Sequence, residues 1–336
     1  MGAADTGMGD DAPRRTTRRL AADAAGIAAA ADLLASGGTV AFPTETVYGL
    51  GADATDAGAV AAIYAAKGRP GFNPLIAHVP DVDAALRHGV FDAAALRLAR
   101  RFWPGPLTLV VPRAPGSGVC DLVTAGLDSL GLRVPDHPVA RALLAAAGRP
   151  VAAPSANRSG RVSPTEAAHV LGDLDGRIDA VVDGGATPVG VESTIVACLG
   201  GQPVLLRPGG VPREAIEAEL GGPLASAVQD AQDAPLAPGM LASHYAPRAG
   251  VRLDATSVSP DEAVLLFGSF RPQGLDGQPQ LNLSASGNVV EAAANLFGML
   301  RRLDGAGTAS IAVAPIPETG LGEAIVDRLR RAAAPR

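Results

Sequence analysis

Between residues 39 and 220 the chain alternates short, almost wholly apolar runs with longer stretches of helical period. The apolar runs, bounded by Gly, Pro and polar clusters, predict buried strands at 39–42, 75–79, 107–111, 130–134, 151–153, 180–182, 194–198 and 204–206. Helices are predicted near 57–66, 92–102, 137–147, 165–171 and 212–219. Such alternation specifies an α/β domain, and its sheet is expected to be mixed because some strands follow one another through loops alone. Residues 251–336 form a second, smaller α/β unit. Its strands are predicted at 263–267 and 310–314, and its helices at 288–303, capped by Asn288 with Glu291 three residues on, and at 321–333.

The ends and the joint read differently. Residues 13–38 imitate an export signal, a basic cluster followed by an apolar stretch, but Asp23 and Asp32 interrupt it. The reading is a disordered arm over 1–18 and then an Ala-rich helix ending at Gly37. Gly2 to Thr6 fits the loose myristoylation pattern without a second membrane signal. The first domain spans 19–220. Residues 221–250 have no period and are rich in Ala, Pro and Gly, which predicts a linker; near its end stand Ser243, His244 and Tyr245.

Composition narrows the class. With 47% hydrophobic residues and no apolar run near the eighteen or so needed to span a bilayer, a soluble protein without membrane association is expected. Aromatics are only 3%, so the cores must be built from Ala, Val, Leu and Ile. A net charge of −6 argues against indiscriminate nucleic-acid binding through a broad basic surface and leaves room for a local basic cleft. Cys120 and Cys198 stand apart, without metal-ligand spacing, which fits a reduced cytoplasm.

The chemistry concentrates in four polar clusters at ends of predicted strands, 43–49, 67–73, 153–165 and 191–195, the placement by which open α/β sheets build clefts. Lys67 is the only lysine among 28 basic residues. It stands near Arg69 and Asn73, and a compact ammonium beside a guanidinium suits a crowded phosphate. A cation before Gly68 and Pro70 also suits a helix C-terminus. Ser163, Pro164, Thr165 and Glu166 make a capping box, so Ser163 either caps a helix or meets a ligand. Thr44 and Thr46 read as cleft or strand-end residues, and His78 as a cleft or core histidine. Arg133 and Arg207, flanked by apolar residues, call for anionic partners. No Walker loop is present, and GAGTAS at 305–310 lacks the third glycine of a dinucleotide fingerprint. The residues alone support an anion-binding α/β enzyme.

In order along the chain, PTETVYGLG, KGRPGFNPL, SAN, ESTI and RPG resemble the YrdC-domain family of L-threonylcarbamoyladenylate synthases. PGMLASHYAP and the unit containing AIVDRL resemble its longer, two-domain form. The resemblance implies a YrdC-like mixed, twisted sheet with helices around a concave cleft, plus a smaller Rossmann-like C-terminal domain. It implies a nucleotidyltransferase that joins L-threonine, bicarbonate or CO2, and ATP into threonylcarbamoyl-AMP and pyrophosphate, with Mg²⁺ arriving with the nucleotide. The product would feed downstream transferases that modify tRNA, so contact with tRNA would be indirect.

Carried over residue by residue, Thr44, His78, Arg133, Ala153 and Ser193 would surround threonine, with Ala153 contributing backbone. Lys67, Arg69, Asn73, Ser129, Ser155, Asn157, Ser163 and Arg207 would contact ATP, with Lys67 and Arg69 supplying the catalytic charge. His244 and Tyr245 match a linker element that would close over the nucleotide. The linker rather than the C-terminal unit is expected to matter for turnover, so removal of 251–336 should spare activity. The competing readings are an RNA-binding translation or ribosome-assembly factor and a carbamoyl-adenylating domain of hydrogenase maturation. The latter is disfavoured because its proteins carry zinc fingers and the cysteines here are isolated.

Overall fold

The computed structural model describes residues 16–69, 71, 73–226 and 244–335. Most of the expected arm, and residues 227–243 of the expected linker with Ser243 among them, lie outside the described residues. The chain opens with β1 (Arg18–Ala21), α1 (Ala24–Ala35), β2 (Val40–Pro43), β3 (Tyr48–Asp53), α2 (Ala57–Lys67) and β4 (Ile76–His78). There follow α3 (Val82–His88), α4 (Ala93–Phe102), β5 (Leu107–Pro112), α5 (Asp121–Thr124), β6 (Ser129–Arg133), α6 (Pro138–Ala147) and β7 (Val151–Ala152). The first unit ends with α7 (Ala167–Leu174), β8 (Ala180–Asp183), β9 (Thr194–Ala197), β10 (Val204–Arg207), α8 (Arg213–Leu220) and β11 (Ala225–Ser226). The second holds β12 (Gly250–Arg252), β13 (Glu262–Leu266), β14 (Gln280–Asn282), α9 (Val289–Asp304), β15 (Ser310–Val313) and α10 (Leu321–Ala333).

Among the described residues the first unit is one eleven-stranded sheet in the order β1-β8-β2-β3-β7-β4-β6-β5-β9-β10-β11. It is mixed, as loop-only connections required: β2–β3, β3–β7, β4–β7, β5–β6 and β9–β10 are antiparallel, whereas β4–β6 and β5–β9 are parallel. The second unit is an all-parallel sheet, β12-β15-β13-β14, with α9 packed against α10. No helix among the described residues is long and apolar enough to cross a membrane.

Aspartates start the first four helices. Asp23, Asp81 and Asp92 each accept a backbone N–H of the first turn at 2.7–2.8 Å and satisfy donors that have no intrahelical partner. The core is aliphatic, with Leu34, Leu50, Ile63, Leu98, Leu107 and Leu109 fully buried.

Three expectations need correction. Arg18–Ala21 is a strand, pairing in parallel with β8, where the arm was to pass directly into a helix. Tyr48–Asp53 is a buried strand, not the tail of a polar cluster. Its glycines look like turn residues, but a Cβ on Gly51 would lie 2.7 Å from the Phe42 ring, so the glycine is there for close packing. The capping box does not form: α7 starts at Ala167, its flanking Glu166 makes no side-chain cap bond, and Ser163 bonds elsewhere.

Candidate active site

The ends of β2, β4, β6, β7, β9 and β10, with the loops that leave them, surround one cavity that is partly open to solvent. Thr44, His78, Arg133, Ala153 and Ser193 line it together with Arg69, Ser155, Arg207, His244 and Tyr245. Residues separated by up to two hundred positions are thus gathered at one end of the sheet. Buried in or behind the wall are Lys67, Arg133, Arg207 and Arg328, against the carboxylates Glu45 and Glu192. Cations outnumber carboxylates there, which predisposes the cavity to anions.

One end is built on the turn after β2. Thr44 Oγ1 donates to Val47 O at 2.7 Å and lies 2.8 Å from Thr46 Oγ1, so the threonines shape the turn as well as the wall. Arg133 Nη2 donates to Glu45 Oε1 at 2.7 Å and to Thr46 Oγ1 at 2.9 Å. The anionic partner that Arg133 required is therefore within the chain: Glu45, whose other oxygen accepts Asp136 N at 3.0 Å. His78 is both core and wall. Its Nδ1 lies 3.2 Å from Ile76 O, and its ring stands edge-on to Phe42 with centroids 6.4 Å apart. Burial, reinforced by Arg133, lowers its pKa to about 3, so the imidazole is neutral. Ser193 Oγ lies 2.8 Å from Thr108 Oγ1, and Arg207 Nη2 donates to Ser193 O at 2.9 Å. The RPGG segment sits directly on this strand: a Cβ on Gly209 would come 2.4 Å from Glu192 O, Ser193 C and Thr194 N.

The other end is pinned by Lys67. It closes α2, as the helix-terminus reading held, and the residue is 3% exposed. Nζ donates to Ser155 O at 2.6 Å and also to Asn157 O, while Ser159 N returns a bond to Lys67 O. Lys67 thus shapes the SAN loop from behind and is not among the residues lining the cavity. Burial, then the neighbouring Arg69, drives its pKa well below the usual lysine range. Arg69 Nε, Asn73 Oδ1, Asn157 Oδ1 and His244 Nδ1 are buried without a hydrogen-bond partner. Unsatisfied buried polar atoms are costly; of these residues Arg69 and His244 line the cavity, and Asn73 and Asn157 do not.

Five expected ATP contacts fall outside the lining: Lys67, Asn73, Asn157, Ser129 and Ser163. Ser129 sits at the head of β6, at the far end of that strand from Arg133. Ser163 is fully buried, and its Oγ donates to Glu192 Oε1.

His244 and Tyr245 close the cavity. Burial, then Arg69, lowers the His244 pKa to about 3. Tyr245 stacks on Phe297 of α9 at 5.7 Å and has φ 62°, a left-handed conformation that costs on the order of 1–3 kcal/mol in a bulky residue and persists only where packing enforces it. Behind it, Arg328 of α10 donates from Nε to Glu192 Oε2 at 2.8 Å. Burial alone would raise the Glu192 pKa, yet Arg328, Arg207 and Ser163 hold it below the usual carboxylate range. Sequence reasoning missed Glu45, Glu192 and Arg328. The C-terminal unit, expected to be dispensable, reaches the cavity wall through Arg328, and this geometry counts against dispensability.

Known proteins bear on these features. A family profile described as "Telomere recombination", covering Sua5, YciO and YrdC, matches residues 32–209, and one described as "Threonylcarbamoyl-AMP synthase, C-terminal domain" matches 211–334. The threonylcarbamoyl-AMP synthase of Bacillus subtilis is 43% identical over 327 residues, covering 92% of this chain and 93% of the relative. That of Pyrococcus abyssi is 42% identical over 324 residues, covering 90% and 92%. The crystal structure of P. abyssi Sua5 complexed with L-threonine superposes with a TM-score of 0.85 at 38% identity, over 94% of this chain and 97% of that one. The chain therefore belongs to the Sua5–YciO–YrdC family, in the two-domain form that carries the threonylcarbamoyl-AMP synthase C-terminal domain.

Proposed function

We propose that the cavity condenses L-threonine, CO2 drawn from bicarbonate, and ATP into L-threonylcarbamoyladenylate and pyrophosphate, a nucleotidyl transfer. The observation that carries this reading is the surplus of buried cations around a wall of hydroxyls, with unpartnered buried nitrogens on the lining residues Arg69 and His244. The names of the relatives and the threonine held by P. abyssi Sua5 support it; the RNA-binding alternative gains nothing from them.

Threonine occupies the end formed by Thr44, His78, Arg133, Ala153 and Ser193, its carboxylate facing an Arg133 that Glu45 has already oriented. Its amine attacks CO2, forming a nitrogen–carbon bond, and the proton it loses joins the hydroxide left by bicarbonate as water, giving the carbamate. A carbamate oxygen then attacks the α-phosphorus, and the bond from that phosphorus to the bridging oxygen breaks as pyrophosphate leaves. Positioning and charge neutralisation do most of the work in such transfers. Arg69 and Arg207 present the charge, and Lys67 fixes the loop bearing Ser155 and Asn157. His244 and Tyr245 keep water from the labile carbamate.

Glu45 and Glu192 are engaged by arginines, and among the described residues no group of three or more His, Cys, Asp or Glu could hold a metal. Mg²⁺ arriving with the nucleotide would neutralise phosphate charge. The adenylate passes to downstream transferases acting on tRNA in the cytoplasm. The test is pyrophosphate release with and without L-threonine and bicarbonate, repeated on Lys67→Ala. Release should require both substrates and collapse in the variant; release indifferent to threonine would overturn the substrate assignment.

A further inference from the structure

The reaction proposed above leaves Arg328 without a part. This guanidinium comes from the C-terminal unit and is 1% exposed. Nε meets Glu192 Oε2 at 2.8 Å, Nη1 meets Asp327 Oδ2 at 2.6 Å, and Nη2 is buried without a hydrogen-bond partner. Its carbon lies 5.2 Å from the centre of the Tyr245 ring, within cation–π reach. Burying a guanidinium this completely is costly unless it serves a group that needs it.

Glu192 is that group. It is the cavity-wall carboxylate on the Arg207 side, and the positive charge of Arg207 acts on it. An anion there, left to itself, attracts Arg207 and competes with any phosphate for the same charge. Arg328, which does not line the cavity, answers Glu192 at Oε2, while Ser163 satisfies its other oxygen. Resting on the reading of this cavity as an ATP site, we propose that Arg328 is a positioning residue of the nucleotide site: by neutralising Glu192 from the C-terminal unit, it leaves the positive charge of Arg69 and Arg207 for the phosphates of ATP. The C-terminal unit thereby completes the site.

The experiment uses the full chain and α,β-methylene-ATP, titrated calorimetrically without threonine. Arg328→Met should weaken binding about tenfold, a usual coupling between contacting charges. Adding Glu192→Gln removes the competing anion, and the double variant should bind like the wild type; in steady-state pyrophosphate release, the KM for ATP should move while that for threonine holds. A purely structural Arg328 predicts the opposite pattern, with the double variant as weak as the single one. That result, or unchanged binding by Arg328→Met, overturns the proposal. If Arg328→Met does not fold, Arg328→Lys and the uncharged double variant decide the matter: binding by the double variant weaker than by Arg328→Lys overturns it. A wild-type chain that binds the analogue but releases no threonine-dependent pyrophosphate overturns the reaction, while the binding comparison still judges Arg328. A wild-type chain that binds no nucleotide overturns both.

Discussion

The two imidazoles in the cavity wall make stability depend on pH in a way that can be worked out. His78 and His244 are 3% and 7% exposed, and each has its pKa lowered from 6.5 to about 3 by burial and then by a neighbouring arginine. In the unfolded chain both regain the ordinary value near 6.5. Because the folded value is the depressed one, the stabilisation is complete above pH 6.5 and is lost as pH falls from there towards 3. At pH 5 the folded rings are still neutral, whereas the unfolded ones are almost fully protonated. Each ring then costs about 2 kcal/mol, set by the unfolded value alone, so the pair costs about 4 kcal/mol between pH 8 and pH 5. His88, His137 and His169 are shifted the same way and add to the loss, which makes that figure a floor. Urea unfolding at pH 5, 6, 7 and 8, followed by the fluorescence of the buried Trp103, measures it. His78→Asn should reduce the pH-dependent part by about 2 kcal/mol, whatever its effect at pH 8. A wild-type loss below about 1 kcal/mol, or an identical profile in the variant, would show that these rings do not fold neutral and buried.

Three further outcomes follow from the packing. Glu45→Ala leaves the Arg133 guanidinium buried without its carboxylate and should lower the unfolding free energy by about 3–5 kcal/mol, seen as a shifted urea midpoint; a shift under about 1 kcal/mol would contradict the buried pair. Gly209→Ala drives a Cβ to 2.4 Å from three backbone atoms beneath it, so melting temperature and pyrophosphate release should both fall, and wild-type values would contradict the close approach. Phe297→Ala removes the ring beneath Tyr245, should cost about 3–5 kcal/mol, and should open the chain near 244–245 to limited proteolysis; unchanged cleavage would mean that Tyr245 is held by other contacts.

Much of the fold was legible because buried strands and capped helices write their period directly into the chain. β4, β5 and β9 read as mainly apolar runs, each with one polar residue, since both faces are covered, and α9 announces its start at Asn288, whose side chain accepts Val290 N and Glu291 N. β3 did not read so, because glycines that serve close packing resemble glycines that serve turns. The wall residues Thr44, His78, Arg133, Ala153 and Ser193 were recoverable from ordered motifs. Their bonding was not, since nothing in spacing tells that the partner of Arg133 is Glu45 or that Ser163 turns to Glu192 rather than capping α7. Arg328 did leave a trace. It falls on the buried stripe of α10 with Leu321, Ala324, Ile325 and Ala332, where an apolar residue was due, and a charge in that phase signals a partner across an interface.

The joint between the two units carries a longer consequence. Arg301 of α9 grips Asp173 and the Val162 carbonyl, Arg213 grips Glu323, and Glu192 takes Arg328, so among the described residues three ionic clasps cross it. A lineage that shed the C-terminal half would strand an anion at position 192 in a dry wall, and one that grafted on a foreign half would have to bring a cation to the same spot. Positions 192 and 328 should therefore change together or not at all in descendants of this chain, and a chimera that exchanges one half alone should fail until its mate is exchanged as well.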